Sequence, residues 1–307
     1  MNSSARLLPQ HPAPEHLRVV IVGSSNVANV DAEAARMESL LVSRGYSVVT
    51  QSVLQGDGCD GETDLVVVLG GDGSILRTAR WMGYQQVPVL GVNLGRLGFL
   101  ADFRRDEVTD AFDEIAAGRF RLVDHLMFEC ELIRDGKSIH HQIGLNETSI
   151  VAGSPFSVIE IGLHVDGELA TTYRGDGLIV STPVGSTAYN LSAGGPIVRK
   201  DIDAFIFTPL NPHTLTNRTV IDSAAREYEL FVSHPNPGSA CVVDGQVVAS
   251  LVAGDRVQVR RAAARFTLIE TRQHGYYRTL REKLAWGGGF PSIAPIMTFG
   301  KKSGDKA

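Results

Sequence analysis

The spacing of apolar residues changes part-way along this chain, and that change is the first guide to its fold. Arg18–Val22 is a short continuous apolar run of mostly β-branched residues, closed by Gly23. Such runs suit strands buried on both faces of a parallel sheet. A helical spacing follows from Asp31 to Arg44, with Asp31 placed to cap it, Glu33 in its first turn and Gly45 just past its end. Tyr46–Thr50, Asp64–Leu69 and Val87–Val92 read as further strands, and residues 74–82 as a helix. Asp106–Ala117 reads as a capped helix with Val108, Phe112 and Ile115 on one side and Gly118 at its end. Strands alternating with helices predict βαβ units and a doubly wound parallel sheet.

Beyond about residue 123 the helical spacing disappears. Met127–Arg134, Ser157–Val165 and Ala240–Val243 are strand-like runs, each followed by Asp-Gly, at 135–136, 166–167 and 244–245. Asp-Gly between such runs is the strongest short-range signal for a β-hairpin. Val257–Val259 and Phe266–Ile269 add two short strands, and residues 277–286 read as a helix ended by the GGGFP at 287–291. The predicted organisation is an N-terminal doubly wound α/β domain over 17–123, then an all-β, sandwich-like domain over 124–276. A segment at 277–296 returns to the first domain, and 1–16 and 297–307 are loose tails.

Composition narrows the function classes. The 307 residues carry a net charge of -5, with 43% hydrophobic and 21% charged residues. That is ordinary for a soluble globular protein and lacks the overall basic balance of a nucleic-acid binder. No apolar run approaches the ~20 residues of a membrane span, and the first sixteen residues lack the apolar stretch of a signal peptide. The three cysteines, Cys59, Cys130 and Cys241, are far apart and odd in number, which fits neither a disulfide framework nor a zinc knuckle. The expectation is a cytoplasmic protein. Glycine is over-represented, 32 residues against a usual ~7%, so the placement of glycines carries information.

The first glycine cluster is Gly70-Gly71-Asp72-Gly73-Ser74, between an apolar strand and a helix. Glycines there let the backbone turn sharply and let a ligand approach, while the start of the helix presents unpaired N–H groups that attract phosphate. A plain βα turn, with Asp72 or Ser74 as helix cap, explains the same residues. Asp72 favours chemistry over a plain turn. A carboxylate in a phosphate cradle is unfavourable unless it holds a magnesium ion or accepts a hydrogen bond from an attacking hydroxyl, and both tasks belong to phosphoryl transfer. There is no G-x-x-x-x-G-K-[ST], no completed G-x-G-x-x-G and no G-x-S-x-G. His140-His141, adjacent on an expected strand, point to opposite faces and do not make a metal pair.

Two further segments carry polar chemistry. Residues 173–198 crowd glycines, Ser181, Thr182, Ser186, Thr187, Ser192 and the aromatic Tyr189 into one stretch; such a set can bind a base and ribose or be ordinary turn chemistry. Asn146-Glu147 interrupts an apolar strand. Alternation alone accounts for it, as does a carboxamide and carboxylate reading a base edge and a ribose diol.

These residues together resemble a bacterial-type NAD kinase, an ATP-NAD kinase. The matching pieces are GGDGS at 70–74, NLGRLGFL at 93–100, LNE at 145–147, GDGLIVSTPVGSTAYNLSAGGPIV at 175–198, PHTLTNR at 212–218, DGQ at 244–246 and LREKLAW at 280–286. GGDG is shared with lipid kinases and phosphofructokinases; LNE and GSTAYNLSAGGP are the specific parts. The departures are Ser74 for the usual Thr, Val184 for a Thr, with one hydroxyl lost, and Thr219 for a Pro.

The resemblance implies an α/β domain carrying GGDG and a β-rich domain carrying the TAY stretch. It implies transfer of the γ-phosphoryl group of ATP to the 2′-hydroxyl of the adenosine ribose of NAD, assisted by a divalent metal ion such as Mg²⁺. Asp72 would accept the hydroxyl's proton, and Gly70, Gly71, Gly73 and Ser74 would form the phosphate loop. NAD would be held by Asp72, Gly73, Asn146, Glu147, Thr187, Ala188, Tyr189, Asn190, Leu191, Ser192 and Gln246, and by Arg174 and Asp176, which in some members reach over from a neighbouring subunit. A homo-oligomer, dimer or tetramer, is implied, with neither nucleic acid nor membrane as partner. ATP and polyphosphate both stand open as donor. A GGDG lipid kinase and a non-catalytic NAD(P) sensor are the competing readings. The first lacks an evident basic amphipathic helix here, and the second has no use for Asp72.

Overall fold

The computed structural model describes residues 17–23, 30–51, 58–59, 61–95, 98–154, 158–214, 216–271 and 276–284. The tails expected at 1–16 and 297–307, the GGGFP segment, the rest of 287–296 and the last two positions of the 277–286 helix lie outside the described residues.

The chain opens with β1 (Arg18–Gly23), α1 (Val30–Ser43), β2 (Ser47–Gln51), β3 (Leu65–Leu69), α2 (Asp72–Met82), β4 (Val89–Asn93), a short β5 (Phe103–Arg104) and α3 (Val108–Ala116). The strands pair in parallel in the order β2-β1-β3-β4, with β5 against β4. Alternation along them sorts the helices onto two faces. Val19, Ile21, Leu65, Val67 and Leu69 pack with Met37, Leu41, Phe112 and Ile115 of α1 and α3. Val20, Val22, Val66 and Val68 pack with Ile75, Ala79 and Met82 of α2. The helix after β1 and the helix after β3 therefore leave the sheet on opposite sides. Ligands of open α/β sheets bind outside the carboxyl ends of the strands at such a switch point, and Gly70–Ser74 leaves β3 there.

Asp31 lies inside α1, which begins one residue earlier, so it is an acidic first-turn residue rather than the cap. Asp106 does not cap α3 either: it sits in a 3-10 turn, where the Arg104 N–H donates to Glu107 Oε2 at 2.8 Å.

The rest is β-rich: β6 (Phe120–Arg134), β7 (Lys137–Gly144), β8 (Glu147–Val151), β9 (Ile159–Val165), β10 (Glu168–Gly175), β11 (Gly177–Ser181), the short α4 (Tyr189–Ser192), β12 (Ala204–Leu210), β13 (Val220–Ser223), β14 (Tyr228–Val232), β15 (Ala240–Val243), β16 (Gln246–Ser250) and β17 (Arg256–Thr271). One antiparallel sheet runs β13-β12-β11-β8-β15-β16. It faces β6, β9, β10, β14 and β17 across a core that includes Phe128, Ile150, Leu178, Phe205, Phe207 and Tyr228, the sandwich expected from the hairpin signals. Each Asp-Gly is a turn with positive φ at both residues: 50° and 72° at 135–136, 49° and 85° at 166–167, 46° and 74° at 244–245. That is the geometry whose twist suits a two-residue hairpin.

Two expectations need correction. Val257–Val259 and Phe266–Ile269 are one strand, β17, which pairs with β6 along both runs through a register shift between Arg261 and Arg265. The Arg-rich stretch between the apolar runs masked that continuity. The toe of β17 also pairs in parallel with β4, Leu268 opposite Val89, so one sheet continues from the α/β part into the sandwich. β6 begins at Phe120, and its pairing crosses the 123/124 boundary. The helix α5 (Tyr276–Leu284) comes back to the first part of the chain, where Arg278 approaches Glu107 at 3.6 Å and Lys283 lies over the Phe99 ring. Cys130 and Cys241, distant in sequence, are buried with their sulfurs 4.0 Å apart.

Candidate active site

Asp72 is the first residue of α2, and Gly71 is the N-cap with no side-chain cap bond. The carboxylate turns instead to the segment after β4. Its Oδ2 accepts the Phe99 N–H at 2.8 Å; its Oδ1 accepts the N–H groups of Leu100 and Ala101 at 2.9 and 3.1 Å. The capping role considered for Asp72 or Ser74 is thus replaced: Ser74 Oγ accepts from Arg77. Gly98 makes the approach possible, because a Cβ there would lie 2.1 Å from Asp72 Oδ1. Gly70 has φ +150°, and a Cβ on it would strike Ser74 Oγ, so the glycine before the loop is required as well.

Asn146 and Glu147 are held by the same device. The Asp244 carboxylate accepts the N–H groups of Leu145, Asn146 and Glu147 at 3.0, 2.8 and 3.2 Å, and the Asp244 N–H donates to the Glu147 carbonyl at 2.9 Å. Glu147 is buried, and its Oε2 has no hydrogen-bond partner among the described residues. Burial, then the neighbouring Asp244 charge, raise its pKa to about 8 against the opposing pull of the Tyr189 backbone N–H. Burial also raises the pKa of Asp244. A buried carboxyl oxygen with nothing bound to it is a ready partner for ligand hydroxyls.

The 181–198 stretch sits on this strand end. Thr182 N donates to the Asn146 carbonyl at 2.8 Å and Thr182 Oγ1 to the Leu145 carbonyl at 2.6 Å. Gly185 lies so close that a Cβ would fall 2.1 Å from the Asn146 carbonyl oxygen. Ser181, Thr182 and Ser186 are buried and bonded within the loop, so of the two readings open for the stretch these three hydroxyls follow the turn-chemistry one. Asn190, expected among the NAD contacts, is likewise fully buried. Its amide donates to the carbonyls of Ser186 and Pro196 and accepts from Thr208 Oγ1 at 2.6 Å. Its side chain holds the loop closed. Val184 is 2% exposed and packs with Leu145, Ile75 and Leu100, so its missing hydroxyl leaves no polar gap. Thr187, Ala188, Leu191 and Ser192 remain at the surface, with Tyr189 42% exposed.

The remaining expected residues divide. Gln246 accepts a hydrogen bond from Arg80 of α2, tying the 244–246 turn to the helix that carries Asp72. Gly73 is exposed at the start of that helix. Asp176 precedes β11, at the opposite end of that strand from Ser181, which pairs with Glu147. Its charge still adds to that of Glu147 in raising the pKa of Tyr189, behind the larger effect of burial. Arg174 is not brought to the cluster: it is exposed on β10, paired with Glu160 at 2.9 Å. Sequence reading missed Gly98 and the three-amide grip of Asp244, although NLGRLGFL and DGQ were the signals containing them. His140 and His141 lie on β7, and no His, Cys, Asp or Glu cluster suited to a metal forms among the described residues.

Comparison with known proteins identifies the family. Residues 6–120 match the family model described as the ATP-NAD kinase N-terminal domain, and 145–271 the ATP-NAD kinase C-terminal domain. The chain is 47% identical over 271 residues to the NAD kinase of Rhodopirellula baltica, covering 88% of this chain and 87% of that protein. It is 42% identical to the NAD kinase of Chromohalobacter salexigens, covering 82% and 84%. Among solved structures, yeast NADH kinase complexed with NADH superposes with a TM-score of 0.79 at 25% identity, covering 92% of this chain and 91% of that one. An Archaeoglobus fulgidus NAD kinase in complex with ATP shares the fold, with a TM-score of 0.70 at 24% identity, covering 88% and 99%. With both halves of the site built from the two matched domains, the chain belongs to the ATP-NAD kinase family.

Proposed function

We infer that this NAD kinase transfers the γ-phosphoryl group of ATP to the 2′-hydroxyl of the adenosine ribose of NAD, with Asp72 accepting that hydroxyl's proton. The observation that carries the role of Asp72 is its set of three backbone amides. An ionised carboxylate offers about four lone-pair sites. Leu100 and Ala101 occupy both on Oδ1 and Phe99 one on Oδ2, which leaves Oδ2 one site for an incoming hydroxyl. Phosphoryl transfer through a loose transition state asks mainly for positioning and charge stabilisation. A carboxylate held this rigidly orients the hydroxyl and takes its proton late.

The start of α2 supplies the other half. Its first N–H groups have no partner within the helix, and the exposed Gly73 leaves room for phosphate to approach them. Glu147 Oε2 and Asn146 face the ribose and base, and Tyr189 offers a ring for stacking. Arg174 and Asp176 would act on a dinucleotide held by a second copy, in a homo-oligomeric, cytoplasmic enzyme. The described residues build no dedicated metal cage. Mg²⁺ keeps most of its waters and binds readily to substrate phosphates, so it fits here as part of the ATP substrate.

Incubating the purified protein with ATP, Mg²⁺ and NAD, and reading NADP with an NADP-specific dehydrogenase, tests the assignment. Polyphosphate replaces ATP in a second arm and diacylglycerol replaces NAD in a third. NADP formation is expected; lipid phosphorylation without it overturns the reading.

A further inference from the structure

We propose that Lys200 is a positioning residue for Asp72, acting through the peptide group that joins Phe99 to Leu100. Lys200 Nζ donates to the Phe99 carbonyl oxygen at 2.5 Å. The N–H at the other end of that peptide group, on Leu100, donates to Asp72 Oδ1 at 2.9 Å. An ammonium on the carbonyl end polarises the group and strengthens the N–H as a donor, as in any chain of hydrogen bonds in a medium of low dielectric. The inference rests on Asp72 being the proton acceptor.

The placement of Lys200 joins the two halves of the site. It follows Val198, whose N–H donates to Ser186 Oγ at 3.1 Å and whose carbonyl accepts from Ser186 Oγ and the Tyr276 hydroxyl. One end of this segment is thus fixed to the loop that carries Tyr189, while the lysine reaches the 98–101 turn that grips Asp72. Lys200 forms no direct ion pair among the described residues. Burial lowers its pKa, opposed by the charges of Asp102, Asp72 and Glu270. His125 of β6 touches its carbonyl at 3.4 Å and stays neutral, its pKa lowered to about 3 by burial and then by the Lys200 charge, with Arg265 of β17 adding to it. Holding a half-buried ammonium beside a neutral histidine and without a bonded carboxylate is unfavourable, unless its charge serves the carboxylate one peptide away.

Lys200→Gln keeps a donor for the Phe99 carbonyl and removes the charge; Lys200→Met removes both. The expected result is a kcat lowered about tenfold in Lys200→Met and less in Lys200→Gln, with KM for NAD within about twofold of the parent. The parent kcat should also fall on the alkaline side below the ordinary lysine range, and both variants should lose that limb. Either variant with the parental kcat, or with the alkaline limb intact, overturns the proposal. Lys200→Gln decides alone if Lys200→Met does not fold. Asp72→Asn, assayed alongside, separates the two readings. If it keeps turnover, the acceptor assignment fails; if it loses turnover while the Lys200 variants keep theirs, only the lysine proposal fails.

Discussion

The peptide that carries Glu147 is held from behind by Asp244, which accepts the Glu147 N–H at 3.2 Å and donates its own N–H to the Glu147 carbonyl at 2.9 Å. Together with the bonds from Leu145 and Asn146, this makes one half-buried carboxylate the anchor of the whole LNE segment. Asp244→Asn exchanges one acceptor oxygen for a donor and leaves at least one of the three amides unpaired. We predict a loss of about 1–3 kcal/mol in urea unfolding and a KM for NAD that rises more than kcat falls. Parental stability with parental KM would contradict the anchoring role.

Gly98→Ala tests the matching grip on Asp72. The added Cβ falls on Asp72 Oδ1 and close to the Ala101 carbonyl oxygen, 3.1 Å away. Either the carboxylate or the turn must move, and a displacement of that size at the reacting atoms costs on the order of 10²-fold in rate. NAD affinity, measured by calorimetry, should change far less. A variant that turns over normally would show that the 98–101 contact is incidental.

Glu147 makes the site sensitive to pH. In the fold it keeps its proton up to about pH 8, against an ordinary value of 4.5. Between those values the unfolded chain has lost a proton that the folded chain retains, so this group's contribution to stability falls as pH rises through the window and levels off above it. Ribose hydroxyls donating to the carboxylate favour its charged form. NAD binding near neutral pH should therefore release up to one proton, measured by titration calorimetry in buffers of different ionisation enthalpy. Glu147→Gln should abolish the release. An identical release from that variant would assign the proton elsewhere.

Tyr189→Ala separates binding from chemistry. Stacking on an aromatic ring is worth about 1–3 kcal/mol per base, so KM for NAD should rise by one to two orders of magnitude with kcat within about threefold. A fall in kcat at constant KM would remove Tyr189 from the binding surface.

Local signals were the legible ones. The apolar runs of the first 123 residues, the Asp-Gly turns and the glycine loop before α2 each depend on residues within a few positions of one another, and each appears close to where its pattern placed it. Contacts across the chain left no such trace. Gly98 is one of several glycines in NLGRLGFL, and only the folded chain shows that it faces Asp72. Asp244 reads as a turn residue because it is one; its side chain's grip on three amides lies about a hundred positions away. Asn190 stands in a motif shared with NAD kinases, yet it is buried, and its amide closes the loop. The continuity of β17 was hidden by the arginines and alanines at its register shift.

The role assigned to Asp72 Oδ2 is to take the proton of the attacking hydroxyl. Turnover of Asp72→Asn, measured as NADP formed under saturating ATP and NAD with NAD affinity determined in parallel, tests it most directly. The expected kcat is lower by about 10²–10⁴ with NAD still bound. Turnover close to that of the parent protein would contradict it.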